Sequence, residues 1–219
     1  MNRNDKGRGT LPASPKVLIL GLDGGCFELL DPWIAEGRLP TLRSLIEAGV
    51  AGPLRTVFPP TTAPAWASMA TGKNPGKHGI FDLTMRDNET LSAFPASSQA
   101  LHAETLWEIV GRHGRKVIVV GMPVSYPPRP VNGVLVSDFL MPKGTRRITY
   151  PSEVLDELEG RFGPFRIHHT EVYTKGNVRR VVAEANAILD YQSRIFRHLL
   201  ETRPWDLAAF HIFGTDRIQ

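Results

Sequence analysis

Short, continuous apolar runs constrain the fold of this chain more than any other feature of its sequence. Three of them read "KVLILGL" at 16–22, "KVIVV" at 116–120 and "WDLAAFHIF" at 205–213. Because hydrophobic residues follow one another with little polar alternation, each run predicts a strand buried on both faces, as in a parallel sheet. A fourth run, "NGVLVSDF" at 132–139, predicts a strand at an edge of that sheet.

Segments with helical spacing of apolar residues separate these runs. Six of them predict helices, at 27–37, 39–50, 63–72, 104–114, 151–163 and 175–202. A short strand is predicted at 51–58 and a long irregular loop at 73–103. This alternation predicts an α/β fold, with a mostly parallel sheet and helices on both faces. Ligands bind such sheets at the carboxyl ends of the strands, which here follow Leu22, Gly121 and Phe213.

Composition narrows the class of protein. The chain has 219 residues, of which 42% are hydrophobic and 22% charged, as expected for a soluble globular domain of medium size. No apolar run reaches the ~18 residues that span a bilayer, and the opening residues lack the apolar core of a signal peptide. A single cysteine, Cys26, excludes an intrachain disulfide and fits a reducing compartment. We therefore expect a cytoplasmic protein with no membrane partner.

The net charge of +4 is concentrated at the amino end. Residues 1–16 carry four basic side chains and one acidic one, so the rest of the chain is close to neutral. No dense run of Lys and Arg alternates with aromatic residues, as a nucleic-acid site would require. We therefore expect residues 1–15 to be a disordered basic tail and nucleic acid not to be a partner.

Acidic residues directly follow two of the predicted strands. Asp23 stands in "GLDGG" and Asp216 in "FGTDRIQ". Each has a plain alternative, since Asp23 suits the cap of the next helix and Asp216 suits a turn. Two like charges at one edge of a sheet are unfavourable unless a cation lies between them. The pair therefore favours a metal site.

The stretch "FPPTTAPAW" at 58–66 places two threonines between prolines, directly before a predicted helix. Prolines restrict the backbone, so the turn is rigid and holds a hydroxyl at the positive end of the helix dipole. A threonine hydroxyl is a poor nucleophile until it is activated, and coordination to a divalent metal is one way to activate it. A threonine turn beside two carboxylates therefore predicts phosphoryl transfer.

Three motifs resemble the type I phosphodiesterase/nucleotide pyrophosphatase family of the alkaline phosphatase superfamily. They are "LILGLDGG" at 18–25, "FPPTTAPAWASMATGKNPGKHGIFD" at 58–82 and "FGTDR" at 213–217. The long middle motif is the specific one, and the closest likeness is to the phosphohydrolase/phosphomutase-like group. The resemblance implies that 16–219 is the N-terminal portion of an alkaline-phosphatase-like catalytic domain, incomplete at the C-terminus.

The resemblance also implies a site. Thr62, four residues after the Phe of the "FP" pair, corresponds to the nucleophile that forms a phospho-threonine intermediate, with Thr61 as the less favoured neighbour. Asp23 corresponds to a ligand of the metal that activates Thr62, and Asp216 to a ligand of a second metal. The family implies two divalent ions in the full-length enzyme, zinc or alternatively manganese. The expected partner is a small phosphorylated substrate, while the oligomeric state stays open.

Two departures from the family pattern leave alternatives open. Ala65 stands where nucleotide pyrophosphatases have an Asn that contacts the phosphoryl oxygen, so the substrate is undefined. The His of the family's D-x-x-x-H motif would be residue 220, one position beyond Gln219, and later histidine ligands are also absent. We therefore expect a phosphoester hydrolase fragment that is inactive alone. The alternatives are a phosphomutase or phosphotransferase, or an inactive binding protein.

The histidines within the chain show no metal-ligand spacing of their own. His78, inside the middle motif, is expected to be structural rather than a ligand. His168 and His169 are expected on an exposed surface, and His211 is assigned no role.

Overall fold

A five-stranded sheet lies at the centre of the computed structural model of the chain, which describes residues 15–87 and 89–217. The strands of the protein are β1 (Val17–Leu22), β2 (Thr84–Arg86), β3 (Ala93–Pro95), β4 (Val117–Val120), β5 (Gly133–Val136), β6 (Thr149–Tyr150) and β7 (Leu207–Ile212). The central sheet has the order β1-β7-β4-β5-β6. Its first four strands are parallel and β6 is antiparallel to β5. The predicted basic tail lies outside the described residues, apart from residue 15.

Helices surround this sheet. They are α1 (Phe27–Ala35), α2 (Pro40–Ala48), α3 (Thr62–Thr71), α4 (Pro75–His78), α5 (Leu106–Arg112), α6 (Val154–Phe162), α7 (Val178–Thr202) and α8 (Gly214–Arg217). The six predicted helices are confirmed to within a few residues at each end. Among the described residues, neither the 25-residue α7 nor any other helix is long and apolar enough to cross a membrane.

Side chains of β4 alternate between two apolar layers. Ile118 belongs to a layer with α6 and α7, whereas Val119 belongs to a layer with α3 and α5. Both side chains are fully buried, because β4 has a strand on either side and helices above and below. The prediction of a mostly parallel sheet with helices on both faces is confirmed.

Burial at the sheet edges differs from the prediction. Val17, Leu18 and Leu20 of β1 remain about half exposed, so the prediction of burial on both faces is wrong for this strand. Within the part of the chain that the structure describes, β1 has only β7 as a neighbour and no residue of α1 or α2 is buried. The edge position predicted for β5 is also wrong, because β6 pairs along its outer side.

Two other predicted segments differ from the structure. Residues 51–58 form no strand in the described chain, and Leu54 and Phe58 are largely exposed. A strand needs a neighbouring backbone to complete its hydrogen bonds, and no described strand lies beside this segment. The loop predicted at 73–103 contains α4 and the β2–β3 hairpin instead of being wholly irregular.

Asp138 lies fully buried two residues after β5. Its carboxyl group accepts hydrogen bonds from the backbone N–H groups of Ser125 and Leu140, both at 2.9 Å. These bonds tie the segment after β4 to the segment after β5. Burial raises the pKa of Asp138 to about 7, because desolvation of the charged form outweighs the backbone donors that favour it.

We predict that Asp138 makes the protein less stable as the pH rises from about 4 to about 7. The unfolded chain ionises this carboxyl near 3.8, whereas the folded chain keeps the proton until about 7. Each unit of separation removes about 1.4 kcal/mol from the free energy of unfolding, so the loss is at most about 4 kcal/mol. Urea denaturation across this range measures the effect.

The matched variants are Asp138→Asn and Asp87→Asn. The first should flatten the pH profile, because the amide does not ionise. The second should leave the profile as it is, since hydrogen bonds from Thr90 lower the pKa of Asp87 and place its titration below the range. Parallel profiles for the wild type and Asp138→Asn would contradict the prediction.

Candidate active site

Asp23 extends the pairing of β1 with β7 by one residue. Its backbone N–H donates to the carbonyl oxygen of Ile212 at 3.0 Å. The residue is about nine-tenths buried, and its Oδ2 accepts a hydrogen bond from Nε2 of His211 at 3.2 Å. No hydrogen-bond partner for Oδ1 is found among the described residues. His211 therefore holds one carboxylate oxygen, while the other has no hydrogen-bond partner in the described structure.

Asp216 lies on α8, which begins two residues after β7. Its backbone N–H donates to the carbonyl oxygen of Phe213 at 3.2 Å. The preceding residue, Thr215, donates its hydroxyl to the backbone carbonyl oxygen of Asp23. The structure thus brings the segments of both predicted carboxylate ligands together at the carboxyl ends of adjacent strands. Their role in holding a metal stays a prediction.

Thr62 is the first residue of α3, and Thr61 is the N-cap residue before it. Thr62 is partly buried, whereas Thr61 is exposed. Thr62 shares a helix face with Trp66, one turn further along. The Trp66 ring meets the edge of the His211 ring, with centroids 4.8 Å apart. The helix that begins with Thr62 is therefore anchored on the strand that carries His211.

Gly21 makes this anchoring possible. It lies opposite His211 in the β1–β7 register. A Cβ atom added at Gly21 would collide with the six-membered ring of Trp66. The glycine of "LGLDGG" therefore provides the space in which α3 contacts the sheet beside Asp23.

A cavity of about 510 Å³ lies between Asp23, the side of α3 that carries Trp66 and Ser68, and the segment 54–57. The Ser68 side chain is hydrogen-bonded to His78, whose Nε2 lies 2.9 Å from the Ser68 hydroxyl oxygen. Nδ1 of His78 accepts from the backbone N–H of Ile80, so Nε2 carries the proton. Burial lowers the pKa of His78 and favours the neutral ring. This geometry supports a structural role for His78, which stays a prediction.

Two histidines occupy positions that the sequence did not indicate. His211 was assigned no role, yet it contacts Asp23 because the β1–β7 register brings the two residues together. His169 was predicted to be exposed, and this is wrong. Its side chain is 6% exposed, it lies 3.7 Å from Glu184, and its ring meets that of Phe213 edge-on. Histidine spacing along the chain carries no information about such contacts.

The described residues supply only part of a metal-ligand set. Among them, no group of three or more His, Cys, Asp or Glu side chains could hold an ion. Asp23, Asp216 and the Thr62 hydroxyl offer hard oxygen donors, whereas zinc sites use at least three protein ligands and often histidine. The open oxygen of Asp23 suits a cation, but the surrounding residues of the described chain do not complete its coordination.

The fold and the site define a class of protein. A mostly parallel sheet with helices on both faces and carboxylates at adjacent strand ends, beside a helix that starts at a threonine, has the alkaline-phosphatase-like architecture. The family model of type I phosphodiesterase / nucleotide pyrophosphatase matches residues 17–219. The chain belongs to this family, and the resemblance seen in its motifs is confirmed.

Curated relatives match a short part of the chain. Ectonucleotide pyrophosphatase/phosphodiesterase family member 1 of Rattus norvegicus is 36% identical over 87 residues, which are 39% of this chain and 9% of the relative. The Homo sapiens protein of the same name is 34% identical over 87 residues, with the same coverage. The chain therefore spans a small fraction of these relatives.

Solved structures match almost the whole chain. A phosphonoacetate hydrolase from Sinorhizobium meliloti 1021, in complex with phosphonoformate, has a TM-score of 0.59 at 24% identity, over 90% of this chain and 46% of that one. Murine ectonucleotide pyrophosphatase / phosphodiesterase 5 has a TM-score of 0.51 at 14% identity, over 93% of this chain and 48% of that one. These likenesses establish the fold. The chain spans about half the length of each of these solved structures.

We predict that Gly21→Ala lowers the free energy of unfolding by about 1–3 kcal/mol, because the new methyl group displaces Trp66 from the sheet. Adding Trp66→Leu to Gly21→Ala should recover part of the loss, since the smaller side chain leaves room. Gly160→Ala in α6 is the matched control, with nothing within 4 Å of the added atom. It should be neutral or stabilising by up to about 1 kcal/mol. Urea denaturation that finds Gly21→Ala as stable as wild type would contradict this packing.

Proposed function

We propose that this chain supplies the nucleophile and two metal ligands of a phosphoester hydrolase. The observation that carries the proposal is the anchoring of α3 on the strand pair that ends in Asp23. Trp66 fixes the helix against His211, and Thr62 begins that helix one turn earlier. Membership in the type I phosphodiesterase / nucleotide pyrophosphatase family supports the same chemistry.

Thr62 is the proposed nucleophile. Its hydroxyl gives its proton to solvent water and its Oγ1 attacks phosphorus, so a Thr62 O–P bond forms while the P–O bond to the leaving alcohol breaks and the leaving oxygen takes up a proton from water. Water then breaks the Thr62 O–P bond, which restores the Thr62 hydroxyl and releases phosphate from a monoester substrate or a phosphomonoester from a diester substrate. Thr62 and Ala63 carry backbone N–H groups that an α-helix cannot pair within itself at its start, and these favour the negative charge of the phosphoryl group at this position. The partial burial of Thr62, compared with exposed Thr61, favours Thr62 for this role.

Asp23 and Asp216 are the proposed ligands of two divalent cations, zinc or alternatively manganese. Such ions, when bound, lower the pKa of a coordinated hydroxyl and stabilise charge on the attacking and leaving oxygens. Asp23 would bind through Oδ1, which has no hydrogen-bond partner in the described structure. The described residues would not complete the coordination of two ions, so further ligands would have to come from outside them.

The proposed substrate is a small phosphorylated molecule. Ala65 carries no polar group toward the cavity beside Asp23, so recognition of the phosphoryl oxygens would differ from that of a protein with Asn at this position. A phosphomutase or phosphotransferase would use the same phospho-threonine with a different acceptor.

A cytoplasmic location remains part of the proposal, on the grounds of the single cysteine.

We predict that Thr62→Ala in the full-length protein lowers hydrolysis of bis-p-nitrophenyl phosphate and p-nitrophenyl phosphate by a factor on the order of a thousand or more. The assay contains Zn²⁺ or Mn²⁺, and acid quenching followed by mass spectrometry should find the phosphate on Thr62. Thr61→Ala is the matched control, because its hydroxyl is exposed and its kcat should change little. Undiminished hydrolysis by Thr62→Ala would refute the assignment. A wild-type protein without hydrolysis, transfer or phosphate on Thr62 would instead support the inactive binding protein.

A further inference from the structure

We propose that His211 is a positioning residue that fixes the carboxylate of Asp23 for cation binding. The inference rests on the proposed function of Asp23 as a metal ligand. His211 would hold Oδ2 and keep Oδ1 directed to the ion, without binding the ion itself. Neither the family match nor the spacing of histidines in the sequence assigns this residue a role.

The contact between the two side chains has a defined direction. A carboxylate only accepts hydrogen bonds, so the proton lies on Nε2 of His211, which is 3.2 Å from Oδ2 of Asp23. The His211 side chain is 1% exposed and that of Asp23 is 11% exposed, so water competes little for the bond. Asp23 nevertheless lines the 510 Å³ cavity. The pair is therefore buried on one side and reachable by an ion on the other.

The His211 ring is itself held by aromatic neighbours. The Trp66 ring meets it edge-on at a centroid distance of 4.8 Å. Phe139 and Phe213 are stacked on it at 6.4 Å and 6.3 Å. Its backbone belongs to β7, with Gly21 of β1 opposite in the register. Nε2 of His211 therefore has little freedom to move. A residue that positions a metal ligand needs this rigidity.

A held carboxylate binds a cation more tightly than a freely rotating one, because the cost of ordering it has been met during folding. Removal of outer hydrogen-bond partners from metal ligands typically weakens metal binding by about 10–100-fold. A competing interpretation is that the Asp23–His211 pair only joins β1 to β7. That role would affect stability but leave metal affinity unchanged in a folded variant, so the two interpretations are separable.

The decisive pair of variants is His211→Phe and His211→Gln, measured in the full-length protein. Phe keeps the aromatic packing but has no donor, whereas the amide nitrogen of Gln replaces Nε2. Calorimetric titration with Mn²⁺ and Zn²⁺ should show affinity lowered by about 10–100-fold for Phe and restored to within a few-fold of wild type for Gln. His113→Gln is the matched control, because the exposed side chain of His113 is bonded, among the described residues, only to the carbonyl oxygen of Ile109 in its own helix. This variant should bind both metals as tightly as the wild type does.

Asp23→Asn separates the two proposals. If Asp23→Asn loses metal binding and folded His211→Phe binds like wild type, the positioning role is wrong and the proposed function stands. If Asp23→Asn also binds like wild type, the ligand assignment itself is wrong.

Circular dichroism reports whether each variant folds. If His211→Phe does not fold, His211→Met, with the length of Gln and no donor, takes its place. Equal affinities for the Gln variant and the donor-free variant would overturn the inference.

Discussion

The parallel pairing of β1 with β7 is the contact on which the rest of the candidate site depends. It joins Asp23 to His211, 188 positions apart in the chain. The same register sets Gly21 opposite His211 and leaves space for Trp66, which positions the helix that starts at Thr62. Closing so long a loop is unfavourable, so the apolar contacts of β7 with β4 and the helices must stabilise it. The contacts of the candidate site therefore require the pairing of β1 with β7.

Two buried carboxyl groups near strand ends, those of Asp138 and Asp23, have different hydrogen-bond partners and surroundings. Asp138 is bonded to backbone N–H groups and so deeply buried that its pKa rises to about 7. It joins two loops and is suited to a structural role in its neutral form. Asp23 has a histidine donor at one oxygen, a cavity beside it and no described hydrogen bond at the other oxygen. This oxygen borders the cavity, so the contacts of Asp23 differ from those of Asp138. The two carboxyl groups are therefore distinguished by their local partners and not by burial alone.

The site lies at the least covered side of the sheet. β1 keeps apolar side chains about half exposed, and α1 and α2 contribute no buried residue to the described core. The solved structures with this fold are about twice as long as the matched chain. Asp23 and Asp216 thus lie between two different surroundings. On one side is the well-packed centre of the sheet, and on the other is the partly exposed apolar surface of β1.

The sequence by itself determined the fold class, the six main helices and the family, because apolar periodicity and the motif around Thr62 are local properties of the chain. It placed Asp23 and Asp216 at strand ends for the same reason. Only the tertiary structure decided that β7 lies between β1 and β4, that β5 is internal and that β1 is an exposed edge. Strand order depends on contacts between distant segments, which periodicity does not encode. The role proposed for His211 arises from that order, since only the register of β7 against β1 brings its ring to Asp23.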